Sequence, residues 1–197
     1  EQSEIQRGDT LASPDFLRPT HMLDVTLKLL SSSPRELQQR ARVRLHIGTA
    51  EILARVVLLD RDVLERGDEA LAQLRLESPV AAVWGDRFVI RRYSPPITIG
   101  GGQVLEVHPH KRRAADKALE DQRQALKEED LAAAIEAKLR LVTNDFTSVK
   151  VLAGGCGRGS KEIATVLDRL ASAGKVVICG VEHQPSAVHS GNWEELA

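Results

Sequence analysis

The chain divides into two stretches by the period of its apolar positions. From Met22 to about Val107 the period is two. Leu23, Val25, Leu27 and Leu29 alternate with Asp24, Thr26 and Lys28, and Val43, Leu45 and Ile47 alternate with Arg42, Arg44 and His46. Apolar segments at 52–59 and 71–76, then 88–90 and 97–107, extend the series. Alternation of this kind predicts strands with one buried face. Turn residues punctuate it: Gly48, Arg66-Gly67-Asp68, Gly85-Asp86, Pro95-Pro96 and Gly100-Gly101-Gly102. Six or seven short strands with regular punctuation predict a closed barrel, and the three glycines in the last strand predict a tight bend or bulge. Residues 1–19, with an Arg7-Gly8-Asp9 turn and Pro14 and Pro19, read as the tail of a preceding module.

After His108 the period changes. Residues 111–126 are rich in Ala, Lys and Glu without Gly or Pro, predicting a polar connecting helix. Leu131, Ile135 and Leu139 repeat at helical spacing. Residues 146–152 read as a short helical turn broken by the glycines at 154–159. Ser160 then reads as an N-cap ahead of Ile163, Val166, Leu167 and Leu170. Gly174 ends that helix, Val176 to Ile178 reads as a strand, and Ala187-Val188 as its partner across a loop at 182–186. Three helices and a hairpin are the order of a winged helix. The expected fold class is α+β: a Greek-key β-barrel at 20–108, a linker helix at 109–126 and a winged-helix domain at 127–197.

Composition narrows the function. The 197 residues carry 27 Lys and Arg against 28 Asp and Glu, so any nucleic-acid surface must be local. Two cysteines without paired spacing exclude a disulfide scaffold or zinc site and fit a reducing compartment. No apolar run reaches membrane-spanning length, so no membrane partner is expected and the cytoplasm is the expected location. The chain starts at Glu1 with Met22 its sole methionine and reads as an excerpt of a longer protein.

Two motifs suggest phosphate chemistry. Gly154-Gly155-Cys156-Gly157-Arg158-Gly159-Ser160-Lys161 approaches a phosphate-binding loop. Its lysine and hydroxyl stand in swapped order, however, and it follows a helix rather than a buried strand, so it reads as a turn between helices. The second is the strand carrying Arg40, Arg42, Arg44 and His46, with Arg35 nearby. At period two these share one face, roughly 6 to 7 Å apart, which matches successive phosphates. Arg91, Arg92, Lys111, Arg112 and Arg113 extend the basic set. The same row also suits a solvated face that blocks edge pairing. No metal cluster and no catalytic constellation is evident, so no catalytic residue is assigned. In the second half, Lys161, Arg169 and Lys175 are diluted by Glu162, Asp168 and Glu182. That disfavours the alternative of a winged-helix transcriptional regulator whose barrel is a sensor.

Specific residues then carry a family likeness. The run 42–51 with Ala54-Arg55-Val56, and the run 85–91 leading into Tyr93-Ser94-Pro95 and 98–105, resemble the third domain of selenocysteine-specific elongation factors. Arg7 to Leu11 resembles the close of their second domain. The resemblance implies a GTP-binding factor that delivers selenocysteinyl-tRNA to the ribosome and reads a selenoprotein mRNA hairpin through its last winged helices. It implies that this piece contacts the tRNA body through Arg42, Arg44, His46 and the loop from Tyr93 to Thr98, with Arg40, Arg91 and Arg92 beside them. GTP and magnesium would belong to a GTPase domain outside this segment, which itself would need no cofactor and act as a monomer without enzymatic activity.

Overall fold

The computed structural model describes residues 6–142, 145–180 and 185–193, which fall into two compact units divided after Ala115. The loop expected at 182–186 lies largely outside the described residues.

The first unit contains β1 (Thr20–Leu29), β2 (Leu37–Gln38), β3 (Arg42–Ile47), β4 (Ala50–Leu58), β5 (Val63–Leu64), β6 (Glu69–Val80), β7 (Arg87–Arg92) and β8 (Thr98–Glu106). Six of them close an antiparallel barrel in the order β1-β6-β4-β3-β7-β8, while β2 and β5 form a separate two-stranded ribbon. Closure follows from the alternation. Leu23, Val25, Leu27, Leu45, Ala54, Val56, Leu74, Ile90 and Val104 point inward and are wholly buried. Removing this apolar surface from water is the dominant stabilising term.

The glycines of β8 serve close approach. A Cβ on Gly102 would fall onto the Thr26 carbonyl oxygen, on Gly101 onto that of Phe88, and on Gly100 onto that of Lys28. The register also shifts between Ile90 and Arg91 where β7 meets β8, as a bulge does.

One polar residue of β1 departs from the alternation. Asp24 lies on the outer side of the wall yet is fully buried, because residues 106–115 run over it. Arg112 donates Nε–H to its Oδ2 at 2.6 Å, and Gln73 donates Nε2–H to its Oδ1 at 2.9 Å and to the His110 carbonyl at 2.8 Å. The Ala115 amide donates to the Leu59 carbonyl at 2.9 Å. Residues 109–115 are therefore laid on the barrel rather than helical, and the expected linker helix begins later.

The second unit contains α1 (Lys117–Lys127), α2 (Leu131–Leu141), β9 (Thr147–Ser148), α3 (Val149–Cys156), α4 (Ser160–Ser172), β10 (Val176–Cys179), β11 (Ser186–His189) and α5 (Ser190–Trp193). Asp116 caps α1 and Asp130 caps α2 by accepting first-turn amides, as short acceptor side chains do at these positions. Rather than standing as a polar connector, α1 packs along α2 and buries Leu119, Gln122 and Ala125. β9, β10 and β11 form one antiparallel sheet with β11 in the middle. Ile135, Leu139, Leu152, Ile163, Leu167 and Ala187 make up the core beneath it.

Two local expectations are corrected. Gly154 and Gly155 do not break a helix but lie inside α3, since packing overrides their weak propensity. The helix ends instead at Gly157, whose φ of 63° puts it in the left-handed region. Gly159, not Ser160, holds the cap position of α4.

Candidate nucleic-acid interface

β3 projects Val43, Leu45 and Ile47 into the barrel and presents Arg42, Arg44 and His46 on the outside. The register then decides what stands beside them. Arg42 pairs with Arg55 of β4, and Arg55 in turn with Arg75 of β6. Arg44 pairs with Arg91 of β7 on its other side. His46 lies between Glu51 and Val89, and Thr98 stands opposite Arg91. Like charges directly across a ladder are destabilising, and here they occur three times on one continuous face. Fold stability alone gives no reason for this arrangement.

Four groups organise the guanidiniums. Arg42 donates Nε–H and Nη2–H to the two carboxylate oxygens of Glu77 at 2.8 and 2.7 Å. Arg44 donates Nη1–H to Glu51 at 2.6 Å and Nε–H to the Tyr93 carbonyl at 3.3 Å. Both guanidiniums also lie against the Tyr93 ring, 4.8 and 5.4 Å from its centre, within cation–π range. The hydrogen bond from Arg42 holds the Glu77 carboxyl below its ordinary pKa, and that from Arg44 does the same to Glu51. Arg75 donates to the Gln73 side chain at 3.4 Å and the Arg112 carbonyl at 3.3 Å. The side chains of Arg55 and Arg91 make no hydrogen bond or ion pair among the described residues. Arg91 Nε and His46 Nε2 are buried without a partner. Trp84 Nε1 and both polar side-chain atoms of Gln122, which do not belong to this face, are in the same position, so these atoms do not single the face out.

The remaining basic residues are not all on this face. Arg40 does not continue the row of β3. It sits in a turn with φ of 62°, its amide bound to the Val56 carbonyl at 2.8 Å and its side chain exposed. Arg92 alternates away from Arg91 and lines a cleft of about 270 Å³ with Arg35, Arg42, Tyr93, Ser94 and Ile99. The loop that carries Tyr93 turns tightly, the Arg92 amide donating to the Ile97 carbonyl at 2.9 Å and the Ile97 amide to the Pro95 carbonyl at 2.8 Å, and it contains a cis Ser94–Pro95 bond. Arg112 cannot extend the patch, since its guanidinium is committed to Asp24. Arg55 and Arg75 were missed, as were Glu51 and Glu77. Their positions on alternating strands were visible, but the register that brings them to β3 was not.

In the second unit the glycine-rich segment forms no phosphate cradle. Its first half is helix α3, and Lys161 is an exposed residue of the first turn of α4. A cleft of about 660 Å³ beside α4 is lined by Glu128, Glu129, Asp130, Glu162 and Arg169, among others. No helix among the described residues is long and apolar enough to cross a membrane, and no cluster of three or more metal-ligating side chains occurs among them.

Fold and face together define an antiparallel β-barrel module with an arginine-lined outer wall. Residues 23–111 match the family model described as selenocysteine-specific elongation factor, beta-barrel domain. The selenocysteine-specific elongation factor of Desulfomicrobium baculatum is 42% identical over 120 residues, covering 61% of this chain and 19% of that protein. That of Haemophilus influenzae is 28% identical over 112 residues, covering 57% of this chain and 17% of the relative. Residues 23–111 thus form a barrel domain of the selenocysteine-specific elongation factor family, and the chain spans less than a fifth of the length of these curated relatives.

Proposed function

We propose that this chain is a tRNA-binding and connecting segment of a selenocysteine-specific elongation factor that delivers selenocysteinyl-tRNA to the ribosome. The observation that carries this is the cross-strand register of arginines. Arg91 and Arg44 in one row, and Arg42, Arg55 and Arg75 in the next, put like charges in direct opposition on a wall whose inner side is wholly apolar. A phosphate backbone laid on this wall relieves that repulsion. Arg40, Arg92 and Thr98 border the face, and Tyr93 braces it. Contacts to phosphate and 2′-hydroxyl groups position a tRNA body without reading its sequence.

The second unit reads as a winged helix, supported by the order helix, strand, helix, helix, hairpin from α2 to β11. It would lead toward the region of the full-length factor that binds the mRNA hairpin. GTP and magnesium belong in this reading to a GTPase domain elsewhere in that factor. The role assigned here is binding, not catalysis, by a monomer in the cytoplasm. The four carboxylates in the cleft beside α4 weigh against the alternative of a DNA-binding regulator, because a duplex groove is lined with phosphate.

The test replaces Arg42 and Arg44 with Glu in the full-length factor. Selenocysteinyl-tRNA binding should weaken and its dependence on salt should become shallower by about two phosphate contacts. Unchanged affinity and slope would overturn the assignment.

A further inference from the structure

The two arginine forks that β3 presents are occupied in the free chain. Arg42 gives Glu77 two parallel bonds at 2.8 and 2.7 Å, the same bidentate geometry in which a guanidinium receives a phosphate. Arg44 gives Glu51 a bond of 2.6 Å. Glu51 comes from β4, the strand next to β3, and Glu77 from β6, one strand further on, so the barrel wall itself delivers them. Both stay open to solvent, with 39% and 45% of their side-chain surface exposed, so an incoming anion can reach and replace them. Arg55 stands between Arg42 and Arg75, and Arg91 beside Arg44, each without a hydrogen-bonded carboxylate, although Glu77 and Glu51 feel their charges. The two carboxylates are therefore bonded to two particular forks and lend the rest of the face only longer-range compensation.

We propose that Glu77 and Glu51 are built-in competitors for the RNA backbone: they hold the Arg42 and Arg44 forks in phosphate-receiving geometry, and they are displaced when RNA binds. This rests on the reading that the face binds RNA and adds to it a mechanism that limits affinity and speeds release. As a phosphate leaves, the carboxylate recaptures the fork, which shortens the lifetime of the complex. An exposed pair of this kind changes affinity by about threefold, so two together set it by about tenfold.

The experiment measures binding of a fluorescently labelled duplex RNA stem to the 197-residue chain by anisotropy and stopped flow, in four forms. These are the unaltered chain, E51Q/E77Q, R42A/R44A, and the quadruple variant. Glutamine keeps the shape and removes the charge. E51Q/E77Q should bind about tenfold more tightly, chiefly through slower dissociation. R42A/R44A should bind more weakly, and the gain from E51Q/E77Q should vanish in that background, because the carboxylates act through these two forks. A gain that persists without the arginines, or no gain at all, would overturn the competitor mechanism and leave the RNA face standing. Unweakened binding by R42A/R44A would instead overturn the RNA face, and the mechanism with it.

Discussion

Gly102 crosses Thr26 so closely that a single methyl group on its Cα would coincide with the Thr26 carbonyl oxygen, and would also press on the Phe88 ring 3.2 Å away. Gly102 is paired with Leu27 on one side and Phe88 on the other, so neither strand can retreat without opening the barrel seam. Gly102→Ala should therefore destabilise the chain by about 3 kcal/mol, the upper range for overpacking a tight site. Urea denaturation followed by circular dichroism checks this, and a loss below 0.5 kcal/mol, the ordinary surface range, would show that the seam gives way easily.

Asp24 carries a pH signature. Burial raises its pKa from the ordinary 3.8 to about 6, against the opposing hydrogen bonds from Gln73 and Arg112 and with a smaller upward push from Glu106. The folded chain thus holds this proton more tightly than the unfolded chain does. The resulting stabilisation is full below about pH 4 and is lost as pH rises to about 6, amounting to roughly 3 kcal/mol. The stability difference between the unaltered chain and Asp24→Asn should change by that order across this window and stay constant above it. A difference independent of pH would mean that Arg112 keeps the carboxylate ionised throughout.

Tyr93 braces both forks of β3 through its ring and one of them through its carbonyl. Tyr93→Ala should weaken binding of a duplex RNA stem by about threefold, consistent with the size of exposed cation–π contacts. Tyr93→Phe keeps the ring and the carbonyl and should bind like the unaltered chain. Equal losses in both variants would move the role from the ring to the hydroxyl.

In the second unit, Glu136 accepts from Lys175 Nζ at 2.8 Å and from Arg140, with the His189 ring 4.0 Å away. Burial lowers the His189 pKa, Arg140 and Lys175 lower it further, and Glu136 alone among its charged neighbours raises it. Replacing Glu136 with Gln should shift the His189 midpoint to still lower pH in an NMR titration. Its depressed pKa favours the neutral ring in the folded state, so stability from this group is lost as pH falls below 6.5, and more steeply in the variant. An upward shift would contradict the geometry.

The strands of the barrel were legible because one face of each is buried, which forces the period of two onto Leu23 to Leu29 and Val43 to Ile47. Their order was not legible, since β1 closes against β6 and β8 through contacts far apart in sequence. The candidate face was readable as far as Arg42, Arg44 and His46, which lie on one strand. Arg55, Arg75 and the two glutamates join them only through register, which no local pattern encodes. Arg112 looked like one more surface cation because its partner Asp24 is 88 residues away. In the second unit the apolar spacing located α2 and α4, but the core of α3 retained Gly154 and Gly155 in helix against their propensity.

The strap from His108 to Ala115 also bears on where this barrel can be cut. A piece ending at His108 would strip the cover from Asp24 and leave Gln73 without the His110 carbonyl. One ending at Lys111, where the family match stops, would remove the very guanidinium that neutralises Asp24. Either truncation leaves Asp24 and its neighbour Glu106 without that guanidinium. The shortest barrel expected to be soluble and autonomous therefore runs through Ala115, whose amide ties the strap to Leu59. Dissection of related factors into working modules should place the cut immediately before Asp116.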